Sequence, residues 1–300
     1  MRTALRWANP AVAVAALALV IWRLGTGPFL AGLRAVDGRA VVAATAVVLV
    51  TTVCSAWRWT IVARGLGVPL RLSAAFAAYY RAVFLNLTLP SGVAGDVHRG
   101  VSHGREAHAL GPALRAVVWE RVAGQVVQIL LAVAVLLVLP SPLRPFMPFV
   151  AAVAVALALG AFLVGRARFG ADIRNGILRR DALPGVLLAS VVVAAGHVAT
   201  FLIAARAADA TAPIPRLLPV VFLAVLATAL PNVGGWGPRE GLTAWAFSAA
   251  GLGAAVGAAT AVAFGVLVLA ASLPGALVLL AERLPGRRPS FFRPEGAPDA

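Results

Sequence analysis

Charged side chains are scarce in this 300-residue chain, and most of those that interrupt its apolar stretches fall into three short clusters. Residues 89–100, LPSGVAGDVHRG, carry Asp96 and Arg99 just behind a proline and two glycines. Residues 230–241, LPNVGGWGPREG, place Arg239 beside Glu240 behind Asn232, Gly234, Gly235 and Gly237, as a loose echo of the first. Glu120 and Arg121 lie inside RAVVWERVAGQVVQILL. Guanidinium groups beside exposed backbone amides are chemistry for holding an anion, above all a phosphate.

In the first cluster Pro90 removes a backbone donor, while Gly92 and Gly95 permit turns that a side chain would block. A helix beginning near Gly95 would aim its amides at an anion, with Arg99 or Arg81 completing a phosphate site. In the second, Asn232, Gly234, Gly235 and Gly237 lead into Arg239 and Glu240, and a phosphate-sized anion would fit between amides and guanidinium. The alternative is that both are tight turns whose charges pair for stability. Glu120 and Arg121 differ by about 100° around a helix and therefore need separate partners. The candidates are Arg99 or Arg239 for Glu120, and Asp96 or Glu240 for Arg121. A buried structural network and a substrate or proton pathway both remain open for them.

The histidines do not form a metal pattern. His98, His103 and His108 are five residues apart, which turns each about 140° from the last on a helix, and no cysteine or second carboxylate completes a ligand set. Neither a metal nor another cofactor is expected. His197, alone in an apolar helix, reads as a hydrogen-bonded packing residue, and Cys54 as a small core residue with no disulfide partner in the chain. Trp7, Trp22, Trp57 and Trp59 fall near the ends of apolar stretches, where indoles serve as interfacial anchors.

The elements that must position these groups follow from composition. Hydrophobic residues make up 61% and charged residues 12% of the chain, too few charges for a water-soluble surface. The expectation is an all-α, polytopic membrane helix bundle. The net charge of +15 comes from 26 arginines and no lysine, scattered between apolar runs, so it speaks about topology and not about nucleic acid. Runs of about 20 apolar residues suffice to cross a bilayer, and six are predicted, at residues 8–26, 40–58, 116–139, 145–165, 183–205 and 254–281. The first reads as an uncleaved anchor behind Arg2 and Arg6. Residues 27–39 read as an interfacial helix. Residues 1–283 are taken as one membrane domain, and residues 284–300 as a disordered Arg- and Pro-rich tail.

The two broken stretches, about 72–90 and 217–250, either span fully, giving eight crossings, or dip in and return. If both are re-entrant, seventeen arginines, Arg58 among them, fall on the cytoplasmic side and six outside. If both span, the division is twelve to eleven. The excess of cytoplasmic arginine in natural membrane proteins favours re-entry, with both termini cytoplasmic. The hairpins then enter from opposite faces, as in an inverted repeat. The polar return arm, residues 97–107, is expected in a water-filled cavity or at the headgroups.

NLTLPSGVAGDVHR (86–99), GPALRAVVWER (111–121) and PNVGGWGPREG (231–241), in that order, resemble the lysylphosphatidylglycerol synthase transmembrane, or flippase-like, family, over most of the chain. The resemblance adds Asn86 to the candidate residues. It departs at Ala94, where the family pattern has glycine, which predicts a less permissive turn. It implies a plasma-membrane domain that moves anionic or amphoteric lipids between leaflets, the partner being a phospholipid or a polyprenyl-linked lipid. The namesake enzymes carry a soluble aminoacyl-transferase domain that these 300 residues lack, so the chain is not expected to make the lipid. Two other readings stand beside a non-enzymatic translocator. One is a transferase acting on a lipid phosphate, with Asp96 or Glu120 as base; the other is a non-catalytic partner of a separate lipid-modifying enzyme.

Overall fold

A computed structural model describes residues 25–89, 92–139, 170–228 and 237–281, with a few isolated positions between them. The predicted spans at 8–26 and 145–165, Trp7 and the tail at 284–300 lie outside the described residues, as do Pro90, Asn232, Gly234 and Gly235. The described secondary structure is helical throughout.

Helix α1 (Gly27–Arg34) is short and lies where the interfacial helix was expected. Helix α2 (Gly38–Gly65) starts at Asp37, whose carboxylate accepts the amide of Ala40 at 2.7 Å and so satisfies one of the orphan donors of the first turn. It stops where Gly67 turns left-handed, at φ +76°. Helices α3 (Leu72–Thr88) and α4 (Ala94–Glu106) flank the first broken segment. Leu89 is extended, with φ −97° and ψ +144°, as a residue before proline must be, and this ends α3. Helix α5 (Leu110–Val138) follows after three residues. Helix α6 (Leu183–Ala207) precedes the second broken pair, α7 (Ile214–Ala227) and α8 (Pro238–Ala249), and α9 (Ala254–Ala281) completes the order. Among the described residues, α2, α5, α6 and α9 are long and apolar enough to cross a membrane. Helix α2 runs seven residues past its predicted end at 58, which carries Arg58 and Trp59 into the helix body.

Close contacts fix how the helices run. A Cβ on Gly95 would collide with the carbonyl oxygen of Ala82, and His103 Nε2 lies 2.9 Å from the carbonyl of Val68, just ahead of α3. Helix α4 therefore returns along α3 to the end from which α3 set out. Gly104 and Gly100 pack on Leu110 and Leu114, so α5 leaves from that same end. Gly65 abuts Asn175, and Arg115 donates to Asp172 at 2.7 Å, which brings residues 172–176 there too. Gly185 and Gly196 face Ile61 and Thr51, so α6 runs antiparallel to α2, towards the other end.

At that other end Arg216 Nη2 donates to the carbonyl of Ala250 at 3.0 Å, joining the start of α7 to the end of α8. Gly257 packs against Thr243 and Phe247, placing α8 and α9 antiparallel. The two hairpins thus open to opposite ends of the bundle. Each is bracketed by long helices in the order long helix, hairpin, long helix, the arrangement of an inverted repeat. Helix α9 supports both hairpins, meeting α8 through Gly257 and Phe264 and α3 through Gly275, beside Tyr80. The apolar core between α2, α6, α7, α8 and α9 includes Phe201, Leu217, Phe247 and Leu267, each fully buried.

Candidate functional site

The first hairpin holds a chain of alternating charges. On α5, Glu120 is fully buried and accepts from two arginines on two other helices. Arg58 of α2 donates to Oε1 from Nε at 2.9 Å and from Nη2 at 2.5 Å, and Arg99 of α4 donates to Oε2 at 2.7 Å. Arg99 also donates from Nε to Asp96 Oδ1 at 3.0 Å, one turn earlier on α4. The other oxygen of Asp96, Oδ2, pairs with Arg121 of α5 and accepts from Asn86 Nδ2 at 2.6 Å. All four carboxylate oxygens of Glu120 and Asp96 are thereby used.

Local structure makes room for this chain. Gly124, one turn after Glu120, lies against the Arg58 guanidinium, and a Cβ there would sit 2.7 Å from Nη1. Arg58 Nη1 donates onward to Ser190 Oγ of α6 at 3.0 Å. The Arg99 guanidinium lies between two rings, 4.5 Å from the Trp59 centroid and 4.3 Å from that of Tyr79, an arrangement favourable to a desolvated cation. Tyr79 reaches towards Glu120 Oε1 at 3.4 Å. At the tip, Asn86 bridges the hairpin arms, accepting the Gly95 amide on Oδ1 at 2.8 Å while its Nδ2 serves Asp96.

Glu120 and Arg121 do take separate partners, as adjacent helical residues must. Glu120 takes Arg99, one of its two candidates, and Arg121 takes Asp96. Arg239 is not the partner of Glu120. It donates instead to its own neighbour Glu240, from Nε at 3.0 Å and from Nη2 at 2.5 Å, and lies over the ring of Phe264 at 5.1 Å. Neighbours can pair here because Glu240 folds back over the start of α8, where Oε2 accepts the Gly237 amide at 2.6 Å in a capping arrangement. Gly237 stands at φ +120° and ψ −98°, a conformation open in practice only to glycine.

Three other expectations are corrected. Arg58, counted with the cytoplasmic arginines, is a buried member of the charge chain. Trp59, read as an interfacial anchor, is fully buried, edge-on to His103 and beneath Arg99. The polar return arm divides between protein and the surface. Helix α4 buries Gly95, Asp96, Arg99, Gly100, His103 and Gly104 against protein, and leaves Val97, His98, Arg105 and Glu106 exposed. The departure at Ala94 does not stiffen the turn, because Ala94 is already helical and the left-handed position is Gly92, at φ +64°. Arg81 is buried in α3.

Arg58 is the residue that sequence reading missed. The signal was present, since an arginine flanked by Trp57 and Trp59 directly continues an apolar run. A span cut at 58 put it at the end of the helix.

Apolar helices around two opposed hairpins and a buried arginine–carboxylate chain define a polytopic membrane protein. The family model for the lysylphosphatidylglycerol synthase TM region matches residues 6–275, and the chain belongs to that family, which ties it to lipid modification or translocation. No match was found among curated proteins or among solved structures.

Proposed function

We propose that this protein translocates a lipid with an anionic, phosphate-bearing headgroup between leaflets, and that Arg121 is the group that meets the headgroup. The observation that carries this reading is the unequal burial of the charge chain. Arg58, Arg99, Glu120 and Asp96 are buried, whereas the Arg121 side chain is 46% exposed at the bundle surface. Three guanidiniums face two carboxylates, leaving one positive charge in excess, which one phosphodiester would balance. Arg121 lies eleven residues into α5 from Leu110, about 16 Å at the helical rise, well inside a candidate span. Arginine at such depth is costly unless it serves a partner or a polar path.

The opposed hairpins supply the rest of the reading, since paired broken helices in inverted halves are how many transporters give a midplane site access to each side in turn. Arg121 binds the phosphate. Asp96, held by Arg99 and Asn86, keeps Arg121 in place between headgroups, and Glu120 with Arg58 fixes Arg99. The end where the first hairpin opens exposes Arg64, Arg71, Arg105, Arg174, Arg179 and Arg180, which supports a cytoplasmic orientation for it in the plasma membrane.

The test is reconstitution into vesicles containing phosphatidylglycerol labelled on its headgroup, scored by protection of the label from an impermeant quencher. Wild type is expected to equilibrate the label across leaflets, Arg121→Gln to slow it at least tenfold and Arg121→Lys to retain part. No wild-type movement above empty vesicles would refute translocation, and an undiminished Arg121→Gln rate would refute the site.

A further inference from the structure

Two donors in the first hairpin are left over after the charge chain is complete. Arg99 Nη1 and Trp59 Nε1 are both buried, and among the described residues neither has an acceptor. Each can only donate, and a buried donor left unmet is costly, so two together at one place call for an explanation. They do share one place, because the Arg99 guanidinium carbon lies 4.5 Å from the Trp59 ring centroid and each donor is within a bond or two of those points. The nearby carboxylate oxygens bond Arg58, Arg99 Nε and Nη2, Arg121 and Asn86, and neither of these two donors.

We propose that Arg99 Nη1 and Trp59 Nε1 hold a small monovalent anion, of the size of chloride, between α2 and α4. Donor-only groups ask for a pure acceptor, which a halide is. A water molecule would accept from both donors but would bring two hydrogens of its own to be met. Complete burial of Trp59 and Arg99 favours an ion over a lipid phosphate, whose glycerol arm needs a way out. The rings of Trp59 and Tyr79 both lie close to the guanidinium, 4.5 Å and 4.3 Å from its carbon. This site does not rest on the translocation reading. So that a headgroup at Arg121 does not confuse the reading, it is tested on protein purified in non-ionic detergent without added lipid.

The probes are chloride and bromide, each compared with gluconate at constant ionic strength. The thermal unfolding midpoint is expected to rise saturably with either halide and not with gluconate. Trp59→Phe keeps an aromatic ring but deletes one donor, and should raise the half-saturating halide concentration about tenfold or more. In bromide-grown crystals of the wild type, an anomalous peak is expected within hydrogen-bond reach of both nitrogens, which decides the matter even if the variant fails to fold. Equal midpoints in chloride and gluconate, an unshifted half-saturation in Trp59→Phe, or bromide bound only elsewhere would each overturn the proposal.

Discussion

Arg58 Nη2 stands 2.5 Å from Glu120 Oε1, joining α2 to α5 through residues 62 positions apart, both of them buried. This contact anchors the charge chain to the long helices, and the hairpin hangs on it through Arg99.

Glu120→Gln removes the charge that two buried guanidiniums share. Breaking one partner out of a buried ion pair typically costs about 3–5 kcal/mol, because the remaining charge is left uncompensated. The variant is expected to unfold at a markedly lower temperature in detergent, monitored by fluorescence-detected size exclusion. A double variant, Arg58→Met with Glu120→Gln, should recover part of the loss, since one of the stranded charges has gone with its partner. Unchanged melting of the single variant would show that the chain does not support the fold.

Glycine positions in the first hairpin should separate by cause. Gly95→Ala forces a methyl group into the Ala82 carbonyl and must push α4 off α3, so the loss is expected to be severe. Gly92→Ala places a side chain at φ +64°, costing about 1–2 kcal/mol. Ala94→Gly, at a helical position, should cost no more than about 1 kcal/mol. Melting midpoints in that order check the assignment, and a tolerated Gly95→Ala would contradict the close approach.

Gly124→Leu tests the space around Arg58. The glycine leaves the guanidinium room against α5, and a bulky side chain should displace Arg58 from both Glu120 and Ser190. The expected result is a destabilisation comparable with that of Glu120→Gln, with little further loss when the two are combined, because both act on one contact. Additive losses would argue that Gly124 matters for another reason.

The opposed hairpins predict opposite sidedness. Arg105 and Thr211 are exposed near the two ends of the bundle. Single cysteines placed there on a Cys54→Ala background should be labelled by an impermeant maleimide from opposite faces of sealed membranes. Labelling of both from one face would reject the inverted arrangement. His103 and Ala210 lie at the same two ends but are too buried to serve.

Much of this was legible in the residues themselves. Length and hydropathy located α2, α5, α6 and α9, and for α9 the bounds agree, because an uninterrupted apolar run admits one reading in lipid. Leu89–Pro90 and the glycines marked both hairpins, since a proline and a left-handed turn are properties of single residues. Asp96, Arg99, Glu120 and Arg121 were identified as a set because charge inside apolar sequence is rare enough to stand out.

Pairing was decided by the tertiary structure alone. An arginine reaches several ångströms from its backbone and can meet any of several acids, so the rotation and depth of each helix choose between Arg99, Arg239 and Arg58 for Glu120. Arg58 joined the site because α2 continues to Gly65 and turns that side chain towards Gly124, and no local pattern reports which face a helix buries. The same holds for α4. Its sequence is polar enough to suggest water, and Arg105 and Glu106 at its end are exposed, yet Asp96 and Arg99 are inside, because α2, α3 and α5 bring the partners that make burial of those charges tolerable.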